Sequence, residues 1–412
     1  MKLDNKIYQS YSDKINSSYP EYLKRLGIDN IAVEANGIYI TDSKGKKYID
    51  CTCGYGSFNL GHNHPDIVES VINVLKSNKL LNRSFINDLQ VEFAEAIQRI
   101  VPSELTCSYL CNSGSEAVDS ALKLAKLTTR KKRIIAAKNS FHGYTCGAMS
   151  VTGIPKFRRM FEPLIPGVTF VDYGDAQDLE NNMDDDVAAV ILEPMQHEAG
   201  IDIPDIDYFS KVAKLCKEHN ALFILDEVKT GFGKTGEFFA CSSFDISPDI
   251  LVLGKSIGGG IIPSGAIVAK NKYWKKFSLS FPMSASSNAG NALACIAGSK
   301  TIEILSQSNT LNNAKQMGLM LKSELEKIEK SHPDIIKSVK GQGLLYGIEF
   351  ITPKLAHEIL TSFIRKSVFA MPCYGANNVI MIEPPIIINK AQLTSVIEVI
   401  SQTVCEIKQS LS

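Results

Sequence analysis

The 412-residue chain lacks the features that mark several common classes of protein. Lysine plus arginine and aspartate plus glutamate both total 44, so no net charge favours nucleic acid or an anionic membrane. No apolar run approaches the roughly 18 residues of a membrane span, and the polar stretch 1–16 has no signal-peptide core. We therefore expect a globular cytoplasmic protein with neither membrane nor nucleic acid as partner.

The ten cysteines include no CxxC pair. Cys51 and Cys53 form a CxC, and Cys107 and Cys111 are separated by three residues. No second ligand pair with zinc spacing follows, so no metal is predicted. Most of these cysteines are expected to be small buried side chains of a reduced protein.

Short apolar runs alternate with amphipathic segments between about residues 105 and 300. The continuous apolar character of the runs is typical of strands buried on both faces. This alternation predicts a doubly wound α/β fold with a mostly parallel sheet, whose ligands gather at the carboxyl ends of the strands. The predicted strands are 133–137, 168–173, 187–194, 221–227, 249–254 and 265–269, and the predicted helices include 115–127 and 208–219.

Both ends of the chain differ from this central pattern. Residues 37–51 read as a hairpin with its turn at Ser43–Gly45, and residues 310–412 begin and end with a helix. We expect a large α/β domain over 61–305, with 1–60 and 306–412 together forming a small α+β domain. Two GK motifs, at 254–255 and 233–234, are not P-loops, because the first glycine that such loops need is missing.

The stretch 111–126, CNSGSEAVDSALKLAK, predicts a capped helix N-terminus. Ser113 is the expected N-cap, and Glu116 is expected to reach back to it in a capping box. The N–H groups of Gly114 and Ser115 would then be free at the positive end of the helix, where phosphate binds well. An ordinary capped helix explains the motif equally well.

Three further features fall where strands end or just beyond. Asp226 follows a buried run and needs a cationic or proton-bearing partner, such as a heterocyclic nitrogen, an N-cap or a salt bridge. Phe141 either stacks on a planar cofactor or belongs to the core. Lys255 ends the apolar run 250–253, where an unpaired ammonium is costly. Together with the predicted phosphate site at Gly114 and Ser115, these side chains are of the types needed to bind pyridoxal 5'-phosphate.

From NLGHNHP (59–65) to VIMIEPPI (379–386), the motifs occur in the order of a known family. The chain resembles the class III pyridoxal-phosphate aminotransferases of fold type I, most closely the ornithine and putrescine type. The resemblance implies a transaminase in which Lys255 forms the internal aldimine and moves the proton. Asp226 would bind the pyridine nitrogen, with Val228 and Phe141 on the two ring faces.

The resemblance also implies a homodimer with shared active sites and small amines, amino acids and carbonyl compounds as substrates. A threonine from the partner subunit contacts the phosphate in this family, and Ser287 falls at that place. The residues implied to bind the cofactor are Ser113, Gly114, Ser115, Phe141, His142, Asp226, Val228, Lys229, Lys255 and Ser287. Those implied to face the substrate are Tyr55, Glu198 and Met381.

Two positions depart from the family pattern. Lys229 stands where many members have a glutamine that bonds the phenolic oxygen of the cofactor; it either replaces that donor or turns outward. Met381 stands where the family usually has an arginine that grips a carboxylate, and methionine cannot make that pair.

The second departure favours an amine or diamine substrate, because Glu198 would lack its usual cationic partner. A 2-oxoglutarate acceptor would then need another arginine, and Arg83, Arg158 and Arg159 are candidates. The alternative is that another residue or the partner chain restores carboxylate binding.

Two other functions remain open on the sequence. An amino-acid racemase or epimerase would need the same lysine but no keto acceptor. A catalytically silent binding protein could keep the fold, although the retention of Lys255 and Asp226 argues against it.

Overall fold

The computed structural model describes residues 2–80, 85–274, 286–307 and 309–411. Its strands are β1 (Ala32–Asn36), β2 (Tyr39–Asp42), β3 (Lys47–Asp50), β4 (Cys107–Cys111), β5 (Arg133–Ala137), β6 (Val168–Val171), β7 (Val187–Leu192), β8 (Leu222–Asp226), β9 (Ile250–Leu253), β10 (Gly265–Ala269), β11 (Ile336–Gln342), β12 (Leu345–Phe350), β13 (Val368–Phe369), β14 (Met371–Pro372) and β15 (Val379–Ile382).

The α-helices are α1 (Lys2–Lys14), α2 (Tyr19–Arg25), α3 (Cys53–Gly56), α4 (Pro65–Lys76), α5 (Asp88–Gln98), α6 (Gly114–Thr129), α7 (Cys146–Val151), α8 (Pro155–Arg158), α9 (Ala176–Asn182), α10 (Tyr208–Glu218), α11 (Asn271–Trp274), α12 (Ala292–Gln307), α13 (Thr310–Ser331), α14 (Pro353–Arg365) and α15 (Lys390–Leu411). Short 3-10 helices cover Arg159–Phe161, Ala240–Phe244 and Lys255–Gly258. No helix among the described ranges is long and apolar enough to cross a membrane.

The large sheet has the strand order β4-β10-β9-β8-β7-β5-β6. Strand β10 is antiparallel to both neighbours, and the remaining pairs are parallel. Every residue of β7, β8, β9 and β10 is buried, which explains their unbroken apolar sequences. The prediction of a mostly parallel α/β sheet is confirmed, and each predicted run forms a strand. Strand β4 was not predicted, because its half-buried sequence CSYLC gives no continuous apolar signal.

Two smaller sheets use both ends of the chain. The predicted hairpin pairs β2 with β3, and β13 then adds to β3 in parallel through Val368 opposite Ile49. A second sheet has the order β11-β12-β15-β14. The predicted boundary at 305/306 falls inside α12, and the division into two domains stays a prediction.

The carboxyl edge of the large sheet positions the functional side chains. Strands β5, β7, β8 and β9 are mutually parallel, so the segments that follow them emerge at one edge. These segments carry Phe141 and His142, then Glu193 to Glu198, then Asp226 to Lys229, and finally Lys255.

Candidate active site

Helix α6 presents its N-terminus to this edge. The Glu116 N–H donates to Ser113 Oγ at 3.2 Å, as expected for the N-cap. The Glu116 carboxylate, however, accepts from the backbone N–H of Asn112 at 2.9 Å, one residue before the N-cap, so the predicted box is offset by one position. The N–H groups of Gly114 and Ser115 precede the first helical donors and have no acceptor within the helix.

The start of α6 lies directly against the ends of β8 and β9. A Cβ added to Gly114 would lie 2.9 Å from Val228 Cγ1, and one added to Gly254 would lie 3.0 Å from Gly114 Cα. A side chain at either glycine would collide with these neighbours. The two glycines therefore let the N-terminus of α6 pack directly against Val228 and against the backbone that precedes Lys255.

Asp226 is a buried carboxylate with a fixed orientation. Its Oδ2 lies 2.8 Å from His142 Nδ1, and its Oδ1 accepts from the Val228 N–H at 3.0 Å. The histidine is itself held, because its backbone N–H donates to Thr152 Oγ1 at 3.0 Å. The carboxylate therefore keeps both oxygens satisfied while it faces the site from the end of β8.

Phe141 is fixed by a buried glutamate that the sequence interpretation missed. The Phe141 N–H donates to Glu193 Oε1 at 2.9 Å, and its ring meets those of Tyr144 and Phe157 edge to face. Burial, together with the nearby Asp226 carboxylate, raises the pKa of Glu193 well above its ordinary value. Glu193 directly follows β7, much as Asp226 ends β8. A carboxylate at the end of a second buried strand was the sequence feature that could have identified it.

Lys255 lies at the end of β9 in a conformation that non-glycine residues rarely adopt. Its φ is +50°, next to an extended Gly254, and such backbone geometry concentrates at functional sites. Burial and then the positive charge of Lys229 lower the pKa of Lys255 from 10.5 to about 8. A larger share of this amine is therefore neutral near physiological pH than for an ordinary lysine.

Lys229 points inward and pairs with Glu383. The Lys229 Nζ lies 2.5 Å from Glu383 Oε2, and the two side chains are 5% and 1% exposed. A Cβ added to Gly56 would lie 3.5 Å from Lys229 Nζ and 3.6 Å from Lys255 Cδ, so both lysines pass the same glycine. The sequence interpretation missed Glu383. The feature that could have identified it is a single charged residue directly after the apolar strand β15.

Glu198 is buried and held by the loop that follows β14. Its Oε2 accepts from the Tyr374 N–H at 3.0 Å, and its backbone carbonyl accepts from the Cys373 thiol. Burial raises the pKa of Glu198 above its ordinary value. His197 lies between two carboxylates, with Nδ1 3.4 Å from Glu198 Oε1 and Nε2 4.0 Å from Glu383 Oε1. Burial lowers the pKa of His197 well below its ordinary value, so this ring is neutral.

The two remaining substrate positions differ in environment. Tyr55 has a φ of +56°, is 36% exposed, and its hydroxyl lies 3.0 Å from that of Tyr374. Met381 is 1% exposed and packs with Cys373 and Val379. Its side chain thus lies in an apolar cluster that adjoins Glu198 through Cys373.

The structure does not bring every predicted residue to this edge. Ser287 is exposed, beside Ser286, whose hydroxyl accepts from Asn112 Nδ2 at 2.5 Å. The Arg158 guanidinium lies 4.3 Å from the ring centre of Phe170, and Arg159 is exposed. Arg83 lies outside the described residues.

Comparisons with known proteins agree with this architecture. The family described as aminotransferase class-III matches residues 25–404. A transaminase from the marine bacterium Virgibacillus is similar at 29% identity and a TM-score of 0.88, with 93% of this chain and 94% of that chain covered. The acetylornithine aminotransferase from Elizabethkingia anophelis shows 29% identity and a TM-score of 0.80, with coverage of 95% and 99%.

A third similar structure describes the cofactor. It is an ornithine aminotransferase from Toxoplasma gondii with partial occupancy of PLP at its active site, at 25% identity, a TM-score of 0.87 and 98% coverage of both chains. The residues of the present site suit that group, because helical N–H groups without an intrahelical acceptor, an oriented carboxylate and a lysine of lowered pKa lie together. This chain belongs to the class III aminotransferases, which are enzymes that use pyridoxal phosphate.

Proposed function

We propose that this aminotransferase takes its amino group from an amine or diamine, passes it to a carbonyl acceptor, and uses Lys255 as its reacting amine. The observation that carries the proposal is the buried Glu198 carboxylate, near which Met381 occupies the family's arginine position. Of the residues that the structure describes, arginines form ion pairs with Glu21 and Asp184 but not with Glu198.

Each residue at the sheet edge has a role in this proposal. The N–H groups of Gly114 and Ser115 would hold the phosphate, and Asp226 would hold the ring nitrogen in its protonated form. Pyridoxal phosphate, when bound, supplies an aldehyde that condenses with amines and a ring that accepts electrons. The Nζ of Lys255 would then move a proton from the carbon of the donor that carries the amino group.

The charges around Lys255 favour a cationic donor. Glu198, Glu383, Asp226 and Lys229 all act on it electrostatically. Lys229 pairs with Glu383 directly, and His142 contacts Asp226. Within the described residues, Glu198 forms no ion pair with a lysine or an arginine, and the basic side chain that it contacts is the neutral His197 ring. The distal ammonium of a diamine could pair with Glu198, whereas the carboxylate of an α-amino acid would be repelled by it. The absent pair with arginine would be worth roughly 1.5–3 kcal/mol to such a carboxylate.

The acceptor is not specified by these contacts. A 2-oxo acid would need a cation, and Arg158 is engaged with Phe170 at the edge strand β6. Arg159 is exposed, so it or a partner subunit could contribute. Arg83 remains a candidate by sequence.

We also propose a homodimer in which Ser287 reaches the phosphate site of the partner. In the single chain Ser287 is exposed, as this role requires. The large exposed apolar side chains of Phe85, Ile86 and Met160 are consistent with a covered surface. Sedimentation velocity tests the assembly, and an active monomer would contradict it.

Half-reaction spectroscopy tests the donor. The purified enzyme is mixed with single donors, namely diamines, monoamines and α-amino acids, and conversion of the cofactor to its amine form is followed by absorbance. We expect fast conversion with diamines or monoamines. Fast conversion with glutamate and none with amines would overturn the amine proposal. Racemisation of an amino acid without that conversion would identify the racemase alternative.

A further inference from the structure

The ion pair between Lys229 and Glu383 is almost completely buried. Its two side chains are 5% and 1% exposed, and they come from the loop after β8 and the end of β15. Removing two charges from water costs several kcal/mol per ion before their mutual attraction offsets it. An apolar pair of similar volume would serve packing at least as well. The pair therefore points to a function that needs charge.

We propose that Glu383 and Lys229 are positioning residues for the reaction, in which Glu383 holds the Lys229 ammonium beside Lys255 and thereby favours the neutral form of the Lys255 amine. The inference rests on the proposed role of Lys255 as the reacting amine.

The geometry places the two lysines side by side. Both side chains pass close to Gly56. A Cβ built on this glycine would lie 3.5 Å from Lys229 Nζ and 3.6 Å from Lys255 Cδ. Gly56 is the last residue of α3 and has a φ of +90°, and the preceding Tyr55 is also left-handed. The backbone conformation at this turn therefore brings Gly56 close to both lysines. Two ammonium groups that share a poorly hydrated site repel each other, and Lys229 accordingly lowers the pKa of Lys255.

Glu383 determines which lysine keeps its proton. Its Oε2 contacts Lys229 at 2.5 Å, whereas its Oε1 has no hydrogen-bond partner among the described residues and faces the neutral His197 ring 4.0 Å away. Lys234 is also buried nearby, but it donates to the carbonyls of Glu383 and Pro384. The Glu383 carboxylate is therefore paired with Lys229, whereas Lys255 forms no ion pair within the part of the chain that the structure describes.

The remaining charged groups around Lys255 act in the opposite direction. Asp226 and Glu198 raise its pKa, as does Glu383 itself, whereas burial and Lys229 lower it to about 8. Glu193 also faces the same space and is affected by Lys255. Since Asp226, Glu198 and Glu383 favour the charged amine, the positive charge of Lys229 opposes them. A fall from 10.5 to about 8 means roughly 300-fold more neutral amine at neutral pH.

Competitive acetylation of the cofactor-free full-length protein tests the inference. Brief pulses of acetic anhydride between about pH 6 and 11, followed by peptide mass spectrometry, give separate titration curves for Lys255 and Lys229. In Lys229→Gln, we expect the Lys255 curve to move up by about one pH unit or more, a tenfold loss of neutral amine. Lys229→Arg keeps the charge and should leave the curve near that of the wild type.

Glu383 has its own readout in the same experiment. In Glu383→Gln, the buried Lys229 ammonium loses its counterion and should release its proton, so Lys229 becomes reactive near neutral pH. Glu383→Asp should restore its low reactivity at least in part. Lys270→Gln, which breaks the Lys270–Asp249 pair outside the site, is the matched control and should leave Lys255 unchanged.

Two results would overturn the inference: an unshifted Lys255 curve in Lys229→Gln, or an unreactive Lys229 in Glu383→Gln. Failure of the proposed function is recognised separately, by borohydride reduction of the wild-type holoenzyme and mapping of the cofactor. Cofactor on a residue other than Lys255 would contradict the proposed role of Lys255. Cofactor on Lys255 together with an unshifted curve would contradict the positioning role alone.

Discussion

His142 Nδ1 lies 2.8 Å from Asp226 Oδ2, and both side chains are buried at the carboxyl edge of the large sheet. The contact joins the segment after β5 to the end of β8, and the second oxygen of Asp226 is held by the Val228 N–H. A carboxylate fixed at both oxygens cannot turn away from a cofactor ring. We propose that this fixed orientation is the one in which Asp226 holds the ring nitrogen of the cofactor.

Asp226→Asn should weaken cofactor binding. Asparagine keeps an oxygen for the Val228 N–H but loses the charge that holds a ring nitrogen protonated, a change of roughly 1.5–3 kcal/mol. We expect affinity for pyridoxal phosphate to fall roughly 10- to 150-fold, measured by equilibrium absorbance titration. The thermal unfolding of the cofactor-free variant should stay close to that of the wild type. Unchanged affinity would show that Asp226 does not hold the ring nitrogen.

Lys255→Ala should fold and bind the cofactor without attaching it. The reacting amine is gone, whereas the α6 N-terminus and Asp226 remain, so turnover should fall by several orders of magnitude. Borohydride reduction followed by peptide mass spectrometry should find no cofactor-derived mass on the chain. Lys229→Gln is the matched control, because it removes a neighbouring lysine and should keep the attachment. Full activity in Lys255→Ala would contradict this role and make Lys229 the candidate for the reacting amine.

Glu198→Gln should selectively impair amine donors. The substitution keeps the size of the side chain and its contact with the Tyr374 N–H but removes the negative charge. We expect kcat/KM for a diamine to fall roughly 10- to 150-fold, with little loss for α-amino acids. An equal loss for both donor classes would mean that Glu198 does not discriminate between them.

Met381→Arg should move specificity in the opposite direction. A guanidinium near Glu198 would supply the missing partner for a carboxylate, so 2-oxo acids and α-amino acids should improve relative to diamines. Because Met381 is buried among Cys373 and Val379, the variant should also lose stability. Met381→Leu controls for packing and should leave the preference unchanged. Thermal unfolding of both variants separates the two effects.

Glu227 should make stability depend on pH. Burial raises its pKa from 4.5 to about 7, although the Ala240 and Cys241 N–H groups donate to it at 3.0 and 2.7 Å. The folded state therefore binds its proton more tightly than the unfolded chain, so this contribution to stability is present at low pH and is lost as the pH rises to about 7. Relative to Glu227→Gln, the wild type should lose up to about 3 kcal/mol over this range. Denaturant unfolding at several pH values measures it, with the exposed Glu398→Gln as control.

The local features of the site could be predicted from the sequence. Unbroken apolar runs specify buried strands, and the carboxyl ends of parallel strands meet at one edge, so Asp226 and Lys255 were expected together. Ser113 was expected as a helix cap because its hydroxyl bonds within three residues of itself. Such features depend on short-range pattern and on rules of sheet topology.

The partners of these residues were decided by the tertiary structure. His142 and Asp226 are 84 residues apart, Glu198 and Tyr374 are 176 apart, and Lys229 and Glu383 are 154 apart. Contacts at such separation depend on how β15 and the loop after β14 pack against the edge of the large sheet, which no local pattern encodes. The sequence by itself determined the class of chemistry and the reacting lysine that we propose. The three-dimensional packing decided that Lys229 faces inward and meets Glu383, because a buried ammonium is stable only where a distant segment brings a carboxylate to it.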